Sequence, residues 1–207
     1  MERSGPQVFI VDDDASIRSA LRRLTTIAGF DALFFASAEE FLDVVKPAEH
    51  ACLVLDVRLP GLDGLELQER LDELGIDIPI VFITGHGDVP MSVKALKRGA
   101  VDFLQKPFDA EDFIAAIHVA LDRSRTESDN QSYNRSVRQR LKTLSRREHE
   151  VFDLVTSGLL NKQVADRLGI SEKTVKVHRA RVMAKMEVKS FAELARMAER
   201  LQQLQDR

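Results

Sequence analysis

The chain has 207 residues, 44% of them hydrophobic, and a formal net charge of −3. That length is generous for one ordinary domain and suits a medium domain followed by a small one. No run approaches the roughly 18 apolar residues of a membrane span, and the opening Met1-Glu2-Arg3-Ser4-Gly5-Pro6 lacks a signal peptide's apolar stretch, so a soluble, cytoplasmic protein with no membrane partner is expected. The single cysteine, Cys52, excludes an internal disulfide and reads as core packing within the apolar run Cys52–Leu55.

The small net charge conceals a division along the chain. Residues 1–137 hold 14 Lys/Arg against 24 Asp/Glu, a net of −10, whereas residues 138–207 hold 16 against 9, a net of +7. An acidic half and a basic half point to two different jobs.

In chain order, residues 1–121 alternate β-rich and helical runs, which predicts an α/β, flavodoxin-like (βα)5 domain with a parallel sheet covered on both faces. The predicted strands are Val8–Val11, Ala32–Phe35, Cys52–Leu55, Ile80–Ile83 and Val101–Leu104. Between them, Ile17, Leu21, Leu24 and Ala28 fall on one helical face that stops at Gly29. Ser37-Ala38-Glu39-Glu40 reads as a capping box, Asp109 as the cap of a helix through Leu121, and Gly75 and Gly99 as helix stops.

Residues 122–140 are polar and poor in apolar positions, and are assigned as an interdomain linker, with a solvated extension of the preceding helix as the rival reading. Residues 141–207 are predicted to be all-α, with four helices. Ser145-Arg146-Arg147-Glu148 opens the first, which ends near Gly158, and a short helix spans Asn161 to Leu168. Gly169-Ile170-Ser171 forms a turn, a basic helix runs from Glu172 to about Met186, and Ser190 to Glu193 caps the last. Two helices joined by a glycine-containing turn outline a helix-turn-helix.

In an open α/β sheet, ligands collect outside the carboxyl ends of the strands. Strand one is followed there by Asp12, Asp13 and Asp14, strand three by Asp56, strand four by Thr84 and strand five, after Gln105, by Lys106. Clustered carboxylates repel unless a cation neutralises them, and oxygen ligands unaccompanied by His or Cys favour a hard ion, Mg²⁺ first. Metal, the Lys106 ammonium and the Thr84 hydroxyl would cradle three phosphoryl oxygens, leaving Asp56 as the nucleophile of an in-line transfer. Helix capping accounts for any one acid, and Asp14 is assigned to it, but not for four strand ends together.

The basic helix carries Lys173, Lys176, Arg179, Arg181 and Lys185. A 3.6-residue period turns Val175, Val182 and Met186 inward and puts Lys173, Lys176, Val177, Ala180, Arg181 and Ala184 outward or at the borders. Cations there can neutralise phosphates, while small apolar side chains let the helix approach a major groove closely and meet a thymine methyl.

Val11-Asp12-Asp13-Asp14, Leu55-Asp56-Val57-Arg58-Leu59-Pro60-Gly61-Leu62-Asp63-Gly64, Ile83-Thr84-Gly85 and Lys106-Pro107-Phe108 together resemble a response-regulator receiver domain over about residues 7–121. The resemblance implies that Asp56 accepts a phosphoryl group from a sensor histidine kinase. It also implies that Asp13, Asp56 and the Arg58 backbone carbonyl hold Mg²⁺, with Asp12 contributing through water. Lys106 would pair with the phosphate and precede a cis bond to Pro107, and Thr84 and Phe103 would form the switch pair. Dimer contacts are implied on the helix from about Val89 to Arg98 and the next strand, at Val89, Lys94, Lys97, Arg98 and Asp102. Arg58 and His86, two residues beyond Asp56 and Thr84, are expected to border the phosphoryl group and tune its lifetime.

The stretch Leu144-Ser145-Arg146-Arg147-Glu148, Asn161-Lys162, Leu168-Gly169-Ile170-Ser171, Thr174-Val175-Lys176-Val177-His178 and Lys185-Met186 resembles the LuxR-type helix-turn-helix of the NarL/FixJ regulators, over about residues 141–200. That resemblance implies base-edge contacts from Lys176, Val177 and Ala180, with Lys173, Thr174, His178 and Arg181 nearer the phosphates. On the last helix, Leu194 and Met197 read as core, and Leu201 and Leu204 as residues that could pair two DNA-binding domains.

The expected protein is thus a two-component transcription regulator that catalyses only its own phosphorylation and dephosphorylation. When phosphorylated it would form a homodimer, bind promoter DNA and activate transcription through RNA polymerase. An aspartyl-phosphate hydrolase would want a second aspartate two positions from the nucleophile, which Asp56-Val57-Arg58 does not offer. The other alternative is a LuxR-type regulator whose receiver answers to protein or small-molecule binding; the set Asp13, Asp56, Thr84 and Lys106 speaks against it.

Overall fold

The computed structural model describes residues 6–45, 50–85 and 95–203, with side chains through Leu201. The chain divides into two compact units, Met1–Asp129 and Asn130–Arg207.

In the first unit, β1 (Gln7–Val11), β2 (Asp31–Phe35), β3 (Ala51–Asp56), β4 (Ile80–Thr84) and β5 (Asp102–Gln105) form one parallel sheet in the order β2-β1-β3-β4-β5. Alternation along each strand builds two cores. Phe9 and Val11 of β1 share one face with Leu53, Leu55 and Phe82; Val8 and Ile10 share the other with Cys52, Val54, Val81 and Ile83. The first face is covered by α2 (Ala38–Val44) and α3 (Gly64–Glu73) through Phe41, Leu67 and Leu71, the second by α1 (Ala15–Ile27) and α4 (Ala110–Lys142) through Leu21, Phe113 and Ile117. Apolar runs buried on both faces are what a parallel sheet requires.

The register pairs Val11 with Leu55, Asp56 with Ile83 and Thr84 with Gln105. It therefore brings the carboxyl ends of β1, β3, β4 and β5 level. The first four strands contain the predicted runs, each longer by one residue at one or both ends, and β5 is shifted by one residue to Asp102–Gln105. The predicted helix from Val89 to Arg98 lies mostly outside the described residues, as do His86, Val89 and Lys94; residues 95–97 are helical.

The helix that was expected to run through Leu121 continues as α4 to Lys142, in keeping with the rival reading of residues 122–140 as a solvated extension of that helix. Residues 122–140 contain no Gly or Pro to break it, and Arg123 pairs with Glu127 one turn on, at 2.8 Å. The Ser124 hydroxyl accepts the Ala51 N–H at 3.1 Å, and Arg123 donates to the Gly99 carbonyl at 2.8 Å, so both residues are tied to the sheet unit. Farther on, Val137 and Leu144 are buried in the core of the second unit.

That second unit adds α5 (Arg146–Thr156), α6 (Asn161–Leu168), α7 (Glu172–Met186) and α8 (Phe191–Gln203). Val151, Phe152, Val155, Val164, Val175, Val182, Met186, Leu194 and Met197 close its core. The Ser145–Glu148 capping box forms as predicted, and the turn between α6 and α7 passes through Gly169 at φ +63°. Leu201 is half-buried against the core, and Leu204 lies outside the described residues.

Candidate functional site

Asp12 and Asp13 follow the end of β1, and Asp56 is the last residue of β3. Asp12 is fully buried, Asp56 nearly so, and Asp13 exposed, and ligand oxygens of the three lie within 4.8 Å of one another. Lys106, at the end of β5, places its Nζ 2.6 Å from both Asp12 Oδ2 and Asp56 Oδ2. Its backbone N–H donates to the Thr84 carbonyl at 2.7 Å, holding the β5 end against β4, and the Lys106–Pro107 peptide is cis. Thr84 is buried at the same edge.

Burial raises the Asp12 carboxyl above the usual range, with the Lys106 ammonium and the Asp14 N–H pulling the other way. Burial also works against the Lys106 charge, but its hydrogen bonds to Asp12 and Asp56 outweigh that and hold it above an ordinary lysine. Asp14 caps α1 through the N–H groups of Ser16 and Ile17, which lower its pKa, so it serves the helix as expected. Both Asp12 oxygens already accept hydrogen bonds, from Asp14 N–H and Lys106, which suits a supporting place in an ion site. An all-oxygen set on an open edge fits a hard divalent ion such as Mg²⁺ better than zinc.

Arg58 donates its N–H to Asp56 Oδ1 at 3.0 Å and exposes its side chain. Phe103 is half-buried, its ring 6.4 Å from that of Phe82. Among the expected dimer residues that are described, Lys97 and Asp102 are exposed, and Arg98 forms an ion pair with Glu69 of α3.

Two supporting residues had no role in the sequence reading. A Cβ on Gly64 would fall 2.3 Å from the Asp56 carbonyl oxygen, so only glycine lets α3 begin directly behind the strand that carries Asp56. Arg18 donates to the Asp12 carbonyl at 2.6 Å from α1. Gly64 was visible as the last residue of the Pro60-Gly61-Leu62-Asp63-Gly64 motif; Arg18 left no such signal.

On the basic side, Ser171 caps α7 through the Thr174 N–H, and Val175, Val182 and Met186 are fully buried. Lys173, Lys176, Val177, Ala180 and Arg181 are all exposed, and Thr174 is half-buried. Val177 shows 44% of its surface, beside the exposed Lys173, Lys176 and Arg181. His178 is half-buried, and its Nδ1 is buried with no hydrogen-bond partner among the described residues.

Comparison with known proteins finds a family for each half of the chain. The response regulator receiver domain family matches residues 8–118, and the luxR family of bacterial regulatory proteins matches residues 142–198. Nodulation protein W of Bradyrhizobium diazoefficiens is 49% identical over 94% of this chain and 86% of its own length. Transcriptional regulatory protein FixJ of Azorhizobium caulinodans is 44% identical over 92% of this chain and 90% of its own. The solved structure of response regulator StyR superposes with a TM-score of 0.82 at 45% identity, covering 95% of this chain and 99% of that one. An acidic sheet edge bridged by a lysine and a basic helix-turn-helix thus occur together in a chain that belongs to the response regulators with a luxR-type DNA-binding region, a family of transcription regulators.

Proposed function

We propose that Asp56 is the phosphoacceptor, taking a phosphoryl group from a sensor histidine kinase in the cytoplasm, and that its phosphorylation drives dimerisation and promoter binding. The observation that carries this reading is the Lys106 ammonium, 2.6 Å from both Asp12 and Asp56. It is a fixed cation beside the one carboxylate that ends a central strand, where incoming phosphoryl charge needs compensation. Asp13, Asp56 and the Arg58 carbonyl would hold Mg²⁺, with Asp12 behind them, and the ion would supply charge neutralisation for the transferred group. Thr84 and Phe103 are the switch pair of this reading, and Arg58 and His86 the residues that set phosphoryl lifetime. The receiver is taken as residues 1–121, the helical connection as 122–140 and the DNA-binding domain as 141–207.

Two added charges at Asp56 give the Thr84 loop a reason to rearrange. The paired receivers, with Val89, Lys94, Lys97, Arg98 and Asp102 as contact residues, would deliver two α7 helices to adjacent half-sites. Lys176, Val177 and Ala180 face base edges, with Lys173, Thr174, His178 and Arg181 at the phosphates. Bound there, the dimer activates transcription through RNA polymerase.

The test is acetyl phosphate with Mg²⁺ on the unmodified chain and on Asp56→Asn, with mass, dimerisation and DNA affinity read together. The unmodified chain is expected to gain a phosphoryl group, dimerise and bind more tightly, and the variant to do none of these. Phosphorylation of the variant would refute the Asp56 assignment, and phosphorylation without a change in dimer or DNA affinity would refute the switch.

A further inference from the structure

The five cations of α7 are not equivalent. Lys185 turns back into the domain, with its Nζ 2.6 Å from Glu148 Oε2 and 2.9 Å from the Thr143 carbonyl. Arg179 also turns back. It lies four residues after Val175 and three before Val182, on the row of α7 that faces the core, and is half-buried. Its Nη1 donates to Asn161 Oδ1, in the first turn of α6, at 2.5 Å. The same guanidinium lies over the ring of Phe191, the first residue of α8, 5.2 Å from its centroid. One side chain therefore ties the start of α6 and the start of α8 to the middle of α7.

Lys173, Lys176 and Arg181 are exposed and make no ion pair among the described residues. With Nη1 directed at an amide oxygen and one face over a ring, the Arg179 guanidinium is oriented back into the domain rather than outward with the exposed cations.

We propose that Arg179 is a positioning residue of the DNA-binding helix: it fixes the angle between α6 and α7 through Asn161 and Phe191 and neutralises no phosphate itself. The inference rests on the DNA-binding reading of α7 and divides its charge in two. Arg179 and Lys185 hold the domain, and Lys173, Lys176 and Arg181 meet the nucleic acid. Loss of Arg179 lets α7 tilt. A tilted helix still finds phosphates on any duplex but no longer aligns Lys176, Val177 and Ala180 with base edges.

The full chain is titrated with two duplexes, one enriched from a random-sequence pool by the unmodified protein and the other poly(dI-dC), over a range of salt. Each phosphate-neutralising cation contributes about 0.9 to the slope of log affinity against log salt. For Arg179→Ala the expected result is an unchanged slope on poly(dI-dC) and a fall of about tenfold or more in the ratio of selected to non-specific affinity. Arg179→Lys, which keeps the charge but not the planar fork, is expected to leave the ratio low, and it carries the test alone if the alanine variant does not fold. A slope shallower by about 0.9 for Arg179→Ala, or recovery of the ratio by lysine, would make Arg179 a phosphate contact and overturn the proposal.

A second readout needs no DNA. Arg179→Ala and Asn161→Ala, singly and together, are compared in thermal unfolding by the fluorescence of Tyr133, the chain's one tyrosine, which lies in the second unit. The double variant is expected to lose clearly less than the sum of the single losses; strict additivity would overturn the coupling. Arg181→Ala serves as the comparison and is expected to make the slope shallower. If it does not, the phosphate assignment of Arg181 fails, while Arg179 is still judged by its coupling to Asn161.

Discussion

Lys106 Nζ sits 2.6 Å from Asp56 Oδ2 and, at the same distance, from Asp12 Oδ2, so one ammonium holds two mostly buried carboxylates together. Removal of that cation leaves two like charges facing each other with Asp12 fully buried. Lys106→Ala is therefore expected to lower stability in EDTA by about 3–5 kcal/mol, the range for a buried pair that loses one member. Mg²⁺ is expected to raise the melting temperature of the variant more than that of the unmodified chain, since the ion no longer competes with the lysine. Equal shifts in thermal melts with and without Mg²⁺ would show that the acids do not share one cation site.

Gly64 and Gly29 separate two reasons for glycine. A methyl group at Gly64 would lie 2.3 Å from the Asp56 carbonyl oxygen, whereas at Gly29, with φ +79°, it would meet nothing within 4 Å. Gly29→Ala should lose about 1 kcal/mol from backbone strain alone. Gly64→Ala should lose more, about 1–3 kcal/mol, and should also slow phosphoryl uptake because the displaced atoms belong to Asp56. Paired melts and acetyl-phosphate time courses would distinguish these outcomes; normal uptake by Gly64→Ala would mean that α3 can move without disturbing Asp56.

The Ser124 hydroxyl accepts the N–H of Ala51, the first residue of β3, and both residues are buried. Ser124→Ala strands that donor and should destabilise the first unit by about 1–3 kcal/mol. Hydrogen exchange at Ala51 is the direct reading. Unchanged protection there would mean that another acceptor replaces the serine.

Glu148 is buried and accepts from Lys185 and from the Ser145 N–H, interactions that hold its carboxyl down at about 2 against an ordinary 4.5. Because the folded value lies below the unfolded one, the stabilisation is complete above about pH 4.5 and is lost as the pH falls towards about 2. Glu148→Gln should remove that acid-dependent part from the second unit. Acid titration followed by Tyr133 fluorescence should show a shallower loss of stability in the variant between those two values. Parallel curves would place the acid sensitivity elsewhere.

Much of the molecule was legible in the residue pattern because the relevant signals are local. Continuous apolar runs and helices bounded by Ser145–Glu148 or Gly169 depend on neighbours a few residues apart, and the strand-end positions of Asp12, Asp56, Thr84 and Lys106 follow once the strands are placed. Inward and outward faces of α7 followed from its 3.6-residue period, and Val175, Val182 and Met186 are buried accordingly. The continuation of α4 to Lys142 was legible only as the rival to a linker, because residues 122–140 lack an apolar stripe and are held at isolated points by Arg123, Ser124 and Val137.

The sequence by itself therefore determined the inventory: two kinds of unit, an acidic strand edge with a lysine, and a basic helix after a glycine turn. Only the tertiary structure decided which charges are engaged and which are available. Lys106 between Asp12 and Asp56, Arg179 on Asn161 and Lys185 on Glu148 join residues that lie 94, 50, 18 and 37 positions apart. No local period encodes such pairings, since they depend on how strands register and helices pack. Five cations that look alike along α7 are for this reason divided by the fold between holding the domain and facing the solvent.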